Sequence, residues 1–227
     1  MGQSGTPLAL RAGSRKGFSV QIRASASYFF GVILMFDNFQ KEKSDFLSKK
    51  DKSKKGSIDK GIVKLVNEIN SKNDFYTTSS CAGRIVLLEM KSKKKNECSW
   101  IFIKHDKVKF KEINYTLKNY KNKDNKNFEI WFKQQPLILH VACRNLESTK
   151  KFLEIARKIF HRAGIIAITE RKVTIEIIGS EHMETIVKDK NFAVGEKYMK
   201  ELIKYANRNF IENKRKINKF LMEAKSL

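Results

Sequence analysis

Thr77-Thr78-Ser79-Ser80-Cys81-Ala82-Gly83-Arg84 puts four hydroxyls, a thiol, a glycine and an arginine immediately before the apolar run Ile85-Val86-Leu87-Leu88. Short hydroxyl side chains supply a turn with local hydrogen-bond partners, and Gly83 permits a backbone angle or a close approach that other residues resist. Arg84 offers a planar fork that matches a phosphate or a carboxylate. Polar chemistry gathered at the entrance to a buried strand is where α/β proteins usually hold ligands. The same residues also fit an ordinary helix-to-strand turn with a surface arginine. Cys81 reads most simply as a small buried hydrophobe, because no base lies near it in sequence.

Further candidates follow along the chain. His105-Asp106 comes directly after the strand-like Trp100-Ile101-Phe102-Ile103-Lys104. The pair can accept a proton or hydrogen-bond a substrate; alternatively, Asp106 caps the next helix and His105 is partly exposed. His140 stands between Leu139 and Val141, and reads either as a substrate contact or as a satisfied core histidine. Arg144 and Arg162 can reach phosphates or merely keep the surface soluble. Glu176 alternates with Val173, Ile175 and Ile177, which fits a carboxylate facing water.

These side chains must be held by elements whose periodicity is readable. Ser57 is suited to N-cap a helix with Asp59 in its first turn, and Ile58, Ile62, Leu65, Val66 and Ile69 recur at helical spacing. Ile85 to Met90 and Trp100 to Lys104 read as buried strands. Phe128 to Phe132 and Leu137 to Val141 are two more, with Pro136 at their junction. Leu146 to Phe160 has helical spacing. Ile165 to Ile168 and Val173 to Ile178 form a hairpin closed by Glu170-Arg171, and a long helix runs from Glu196 to Ala224. The spacing predicts an α+β fold in which a mixed sheet is flanked by helices, over a single domain of residues 35–227.

The first 34 residues are rich in Gly, Ser, Ala and Arg and carry no acidic residue. They read as a disordered leader, a transit-peptide-like segment or an extension outside the fold. The 227-residue chain holds 47 basic and 24 acidic residues, a difference of +23, and such a field favours polyanions such as nucleic acid. Lysines interleaved with asparagines, at Lys91 to Lys95 and Lys118 to Asn127, read as surface loops and explain part of the excess without any RNA. Cys81, Cys98 and Cys143 are too scattered for a disulfide framework, and no Cys-x-x-Cys or His-x-x-x-His pair points to zinc. The expectation is therefore a reducing, cytoplasmic location and no metal. No apolar run approaches the roughly 20 residues that a membrane helix requires.

Taken in order, Lys55-Gly56-Ser57-Ile58-Asp59, the Thr77–Arg84 segment, Trp100 to Asp106, Gln135-Pro136-Leu137-Ile138-Leu139-His140-Val141-Ala142-Cys143-Arg144, Arg162-Ala163-Gly164-Ile165 and Val173 to Ile177 form a series. In order and spacing, this series resembles the tRNA wybutosine-synthesising methyltransferase family, the third enzyme of that pathway and its archaeal relatives. The resemblance spans about Phe39 to Phe220. It implies an α+β fold that is not the doubly wound, Rossmann-type methyltransferase sheet. It also implies transfer of a methyl group from S-adenosyl-L-methionine to a ring nitrogen of a tricyclic guanosine derivative beside the anticodon of phenylalanine tRNA. By the same resemblance, Ser79, Ser80, Gly83 and Arg84 line the cofactor, His105 and Asp106 serve the chemistry, and His140, Arg144 and Arg162 meet the substrate.

Four positions depart from that family's pattern: Gln135 replaces a glutamate, Ala82 and Ala163 replace serines, and Ile178 replaces an arginine. Two other functions compete. A non-catalytic basic tRNA-binding protein fits the charge and the lack of a glycine-rich cofactor loop. A hydrolase using Ser79 or Cys81 with His105 and Asp106 lacks a nucleophile-elbow pattern.

Overall fold

The structure, a computed structural model, describes residues 38–48, 58–91, 98–121 and 127–227. Along them run α1 (38–48), α2 (Val63–Ser71), β1 (Phe75–Cys81), β2 (Arg84–Met90), β3 (Cys98–Lys104), α3 (Phe110–Asn119), β4 (Glu129–Gln135), β5 (Ile138–Cys143), α4 (Leu146–Arg157), β6 (Arg162–Ile168), β7 (Val173–Ile178), β8 (Met183–Asp189) and α5 (Glu196–Ala224). The strands form two four-stranded sheets, in the orders β1-β5-β7-β6 and β3-β2-β4-β8. The α+β class stands, but the sheet is not mixed: every pairing is antiparallel. The four-residue connection 169–172 makes β6 and β7 antiparallel, because a parallel pair requires a crossover of a dozen or more residues.

α5 is the spine. Met199, Leu202, Ile203, Ala206, Phe210, Asn213, Ile217, Phe220 and Ala224 recur every three or four residues and form one buried stripe along its 29 residues. Its N-terminal half packs on Ile85, Leu87, Ile130 and Phe132 of the second sheet. Its C-terminal half packs with α2 and α4 on Leu139, Val141, Val173, Ile175 and Ile177 of the first. Phe220 meets Phe152 and Phe160 edge-on, each at 5.7 Å between ring centres. Asn145 caps α4: it accepts from Ser148 N at 2.9 Å, and Asn145 N donates back to Ser148 Oγ at 3.2 Å.

Three strands run through both sheets. β1 continues into β2 at Ala82-Gly83, β4 into β5 at Pro136-Leu137, and β7 into β8 through residues 179–182. The crossings lie side by side and form a waist. Gly83 has φ 98°, and a Cβ there would stand 2.8 Å from the Gln135 carbonyl oxygen. A Cβ on Gly179 would stand 2.7 Å from the Pro136 Cβ. Asn213, with no exposed surface, ties two crossings together: Nδ2 donates to the Ala82 carbonyl and Oδ1 accepts from Leu137 N, both at 2.8 Å. Lys216, one turn further along α5, holds the third through Glu181 and through Ser180 Oγ at 3.1 Å.

Several expectations are revised. Thr77 to Cys81 is not a turn but most of β1, because Phe75 and Thr77 bury on one face of a strand paired with β5. Asp59 is not in a helical first turn. Residues 60–62 form a turn closed by Ile62 N donating to the Asp59 carbonyl at 2.9 Å, and α2 begins at Val63. β1, β8, α1 and α3 had no counterpart in the periodicity. Ser57, the 1–34 segment, residues 92–95 and residues 122–126 lie outside the described residues.

Candidate active site

α5 covers one face of each sheet, so alternation along the strands assigns the opposite faces, and these meet at the waist. On the first sheet the pairing aligns Ser79, His140, Glu176 and Gly164 in one row and Cys81, Ile138, Ile178 and Arg162 in the next. His140 Nε2 lies 2.9 Å from Glu176 Oε1. Glu176 is therefore not a bare surface carboxylate but a cross-strand partner that fixes the imidazole. The row beyond, Tyr76 and Ala142, is covered by Phe39 of α1. There Lys172 donates to Glu42 and, at 3.0 Å, to the Tyr76 hydroxyl.

A second group assembles where the ends of β1 and β3 approach. The Asp59 carboxylate is buried; its Oδ2 accepts from Ala82 N at 3.1 Å and lies 3.0 Å from His105 Nδ1. Cys81 joins them, with the ligand-type atoms of all three within 4.8 Å of one another. The sequence spacing had given no reason to expect a metal, yet these three side chains are close enough to hold an ion, although Asp59 Oδ2 is already shared by two partners. Burial pushes the Cys81 thiol up. A Gly83 backbone hydrogen bond and Arg84 partly offset that, while Asp59 adds to it. A thiol so held is a poor nucleophile, which counts against the hydrolase reading.

Arg84 stands next in this line, because the pairing of Ile85 with Lys104 places it alongside His105. Its Nε donates to Gln135 Oε1 at 2.6 Å, and its guanidinium lies 4.6 Å from the centre of the Trp100 ring. Gln135, where the resemblance leads one to expect a glutamate, accepts this hydrogen bond without neutralising the arginine. Arg84 retains a net positive charge and the terminal nitrogens of its fork for a carboxylate or phosphate.

The structure brings Ser79, His140 and Arg162 onto one face, and Arg84 and His105 to its border at the waist. Gly83 is buried within the waist and shapes it. Ser80 lies opposite Leu139, on the face towards α5. Asp106 is exposed and accepts from Lys107 N at 2.7 Å, so it serves the local turn. Arg144 is drawn away to the far end of β5, with Nε 2.7 Å from Asp74 Oδ1 and its guanidinium 5.3 Å from the Phe39 ring. Asp59 and Glu176 are the residues that sequence reasoning did not place at the site. Asp59 was legible only as the last member of Lys55-Gly56-Ser57-Ile58-Asp59, where helical logic gave it another role.

The family model described as Methyltransferase TYW3 matches residues 40–226. A Mus musculus protein named tRNA wybutosine-synthesizing protein 3 homolog is 34% identical over 188 residues, which cover 80% of this chain and 71% of that protein. A Thermococcus sibiricus protein named tRNA(Phe) 7-((3-amino-3-carboxypropyl)-4-demethylwyosine(37)-N(4))-methyltransferase is 31% identical over 200 residues, or 86% of this chain and 99% of that one. The solved PH1069 protein from Pyrococcus horikoshii superposes with a TM-score of 0.75 at 28% identity, covering 85% of this chain and 99% of that one. With its ordered motifs, its two-sheet fold and a family match that runs through nearly all of the described residues, this chain belongs to the TYW3 methyltransferase family.

Proposed function

We propose that this protein transfers a methyl group from S-adenosyl-L-methionine to a ring nitrogen of a tricyclic wybutosine-pathway guanosine derivative, next to the anticodon of phenylalanine tRNA in the cytoplasm. The observation that carries the reading is that Arg84 and His105, from two separate sequence blocks, stand side by side at the waist, at the border of the face that carries Ser79 and His140. The family match supplies the reaction class. Among the described residues, no helix is long and apolar enough to cross a membrane.

The donor set fits a zwitterionic methyl donor. Arg84 can pair with its carboxylate, and the Ser79 hydroxyl can serve its polar edge. When bound, S-adenosylmethionine supplies an electrophilic methyl on a sulfonium that leaves as a neutral sulfide. The work left to the chain is alignment, since holding the reacting atoms in line carries much of such a displacement. One proton must leave an acceptor nitrogen that carries N–H. His105, whose Nδ1 lies 3.0 Å from Asp59 Oδ2, is the base assigned to take that proton. His140, oriented by Glu176, and Arg162 are assigned to the base and its phosphates.

Titration calorimetry with S-adenosylmethionine, on the native chain and on Arg84→Ala, tests the reading together with methyl transfer to tRNA that carries the demethylated base. Binding and transfer by the native protein, both lost in Arg84→Ala, support it. His105→Ala should keep cofactor binding while transfer falls on the order of 10²- to 10⁴-fold. Binding of tRNA with no affinity for the cofactor would instead identify a basic RNA-binding protein without this chemistry.

A further inference from the structure

The face of the second sheet opposite α5 carries no helix among the described residues. The pairing places Trp100, Leu88 and Trp131 side by side on it, on β3, β2 and β4. The two indoles therefore stand two strands apart, on the order of 9–10 Å, with Leu88 between them. Trp100 is 40% exposed, and Ile103 beside it is 46% exposed. Each tryptophan is paired with a cation: Arg84 lies 4.6 Å from the Trp100 ring centre and Lys133 lies 4.9 Å from that of Trp131. Both fixed acidic neighbours are engaged, Glu184 by Lys133 at 2.9 Å and Glu129 by Trp131 Nε1 at 2.9 Å.

Trp100 and Ile103 are exposed and Trp131 is half-buried, and all three lie outside the core that packs against α5; large exposed apolar side chains oppose solubility. We infer that this face is a stacking platform for unpaired nucleotides of an RNA loop, with Trp100 and Trp131 taking base faces and Lys133 a phosphate between them. A single-stranded nucleic acid offers flat π surfaces and regularly spaced anions together, and the chain's charge of +23 suits it. Arg84 belongs both to this platform and to the waist, so bases stacked here lead directly to the proposed methylation site. The inference rests on that reading for the identity of the RNA, but not for the stacking itself.

The test is direct because Trp100 and Trp131 are the only two tryptophans in the chain. An unmodified anticodon stem-loop transcript of phenylalanine tRNA is titrated into the full chain while tryptophan emission is followed, with anisotropy of the labelled RNA as an independent measure of binding. Saturable quenching that tracks the anisotropy is expected, and it persists in part in Trp100→Phe, where Trp131 reports alone. Trp131→Ala should weaken RNA binding by roughly 10-fold, within the 1–3 kcal/mol of one stacked base, while calorimetric binding of S-adenosylmethionine is unchanged. RNA binding with unaltered emission and an unaltered Trp131→Ala affinity would overturn the inference, as would no RNA binding at all. Emission that changes with protein concentration and not with RNA would overturn it in favour of a contact between copies. Failure of cofactor binding alongside RNA-dependent quenching would remove the methyltransferase reading and leave the platform intact.

Discussion

Replacing Asn213 by alanine isolates what holds the two sheets in register. The side chain has no exposed surface and satisfies two backbone groups on different crossings, Ala82 C=O and Leu137 N–H, each at 2.8 Å. Truncation leaves both orphaned. A buried group without a partner costs about 1–3 kcal/mol, so the pair predicts a loss of about 2–6 kcal/mol, towards the low end if water enters the space vacated. Denaturant titration reads this as a lower midpoint with an unchanged slope. Even 2 kcal/mol would lower Tm by roughly 4–8 °C in a chain of this size. Asn213→Asp sharpens the reasoning. Its carboxylate keeps an acceptor for Leu137 N–H but turns a second lone pair towards the Ala82 carbonyl, whereas the protonated acid can make both bonds. Its folded pKa is therefore raised above the unfolded value near 3.9, and its stability relative to the native chain should fall as pH rises from about 4 to 7. A loss below about 1 kcal/mol in Asn213→Ala, or a pH-independent deficit in Asn213→Asp, would refute the clasp and leave the waist to packing alone.

Other perturbations follow from the same geometry. Gly83→Ala must adopt a positive φ, at about 1–2 kcal/mol, and push its methyl against the Gln135 carbonyl, so thermal unfolding should show a loss above 2 kcal/mol together with weakened cofactor binding. Phe220→Ala, which removes the ring between Phe152 and Phe160, should cost about 3–5 kcal/mol by denaturant titration. Burial works against the Glu181 carboxylate, but hydrogen bonds from Lys216 and Ser180 outweigh it and hold its pKa below the usual range. The unfolded chain then binds that proton more readily. The pair's contribution is full above the unfolded value and fades as pH falls through the lower folded one, so Glu181→Gln should differ from the native chain at pH 7 and converge with it in acid.

The sequence by itself determined what depends on local pattern. The stripe of α5, the start of α4 at Leu146, the turn at Glu170-Arg171 and the need for glycine at position 83 all follow from spacing or from the chemistry of one residue, and the structure reproduces them. The ordered motifs also carried the family. Other features were decided by pairing between distant segments. β1 reads as a polar turn because its hydroxyls are divided between the two faces, Thr77 and Ser80 towards α5 and Ser79 away from it, so no apolar alternation marks the strand. Asp59 has the composition of a helix start, yet it is used as a buried acceptor because Ala82 N and His105, 23 and 46 residues away, need one there. Arg144 and Arg162 look alike in sequence, but Asp74 engages the first at the far end of β5 while the second stays exposed beside Ile178. Hydrogen bonds and ion pairs across a sheet are set by register, and register is fixed only when both sheets close on α5.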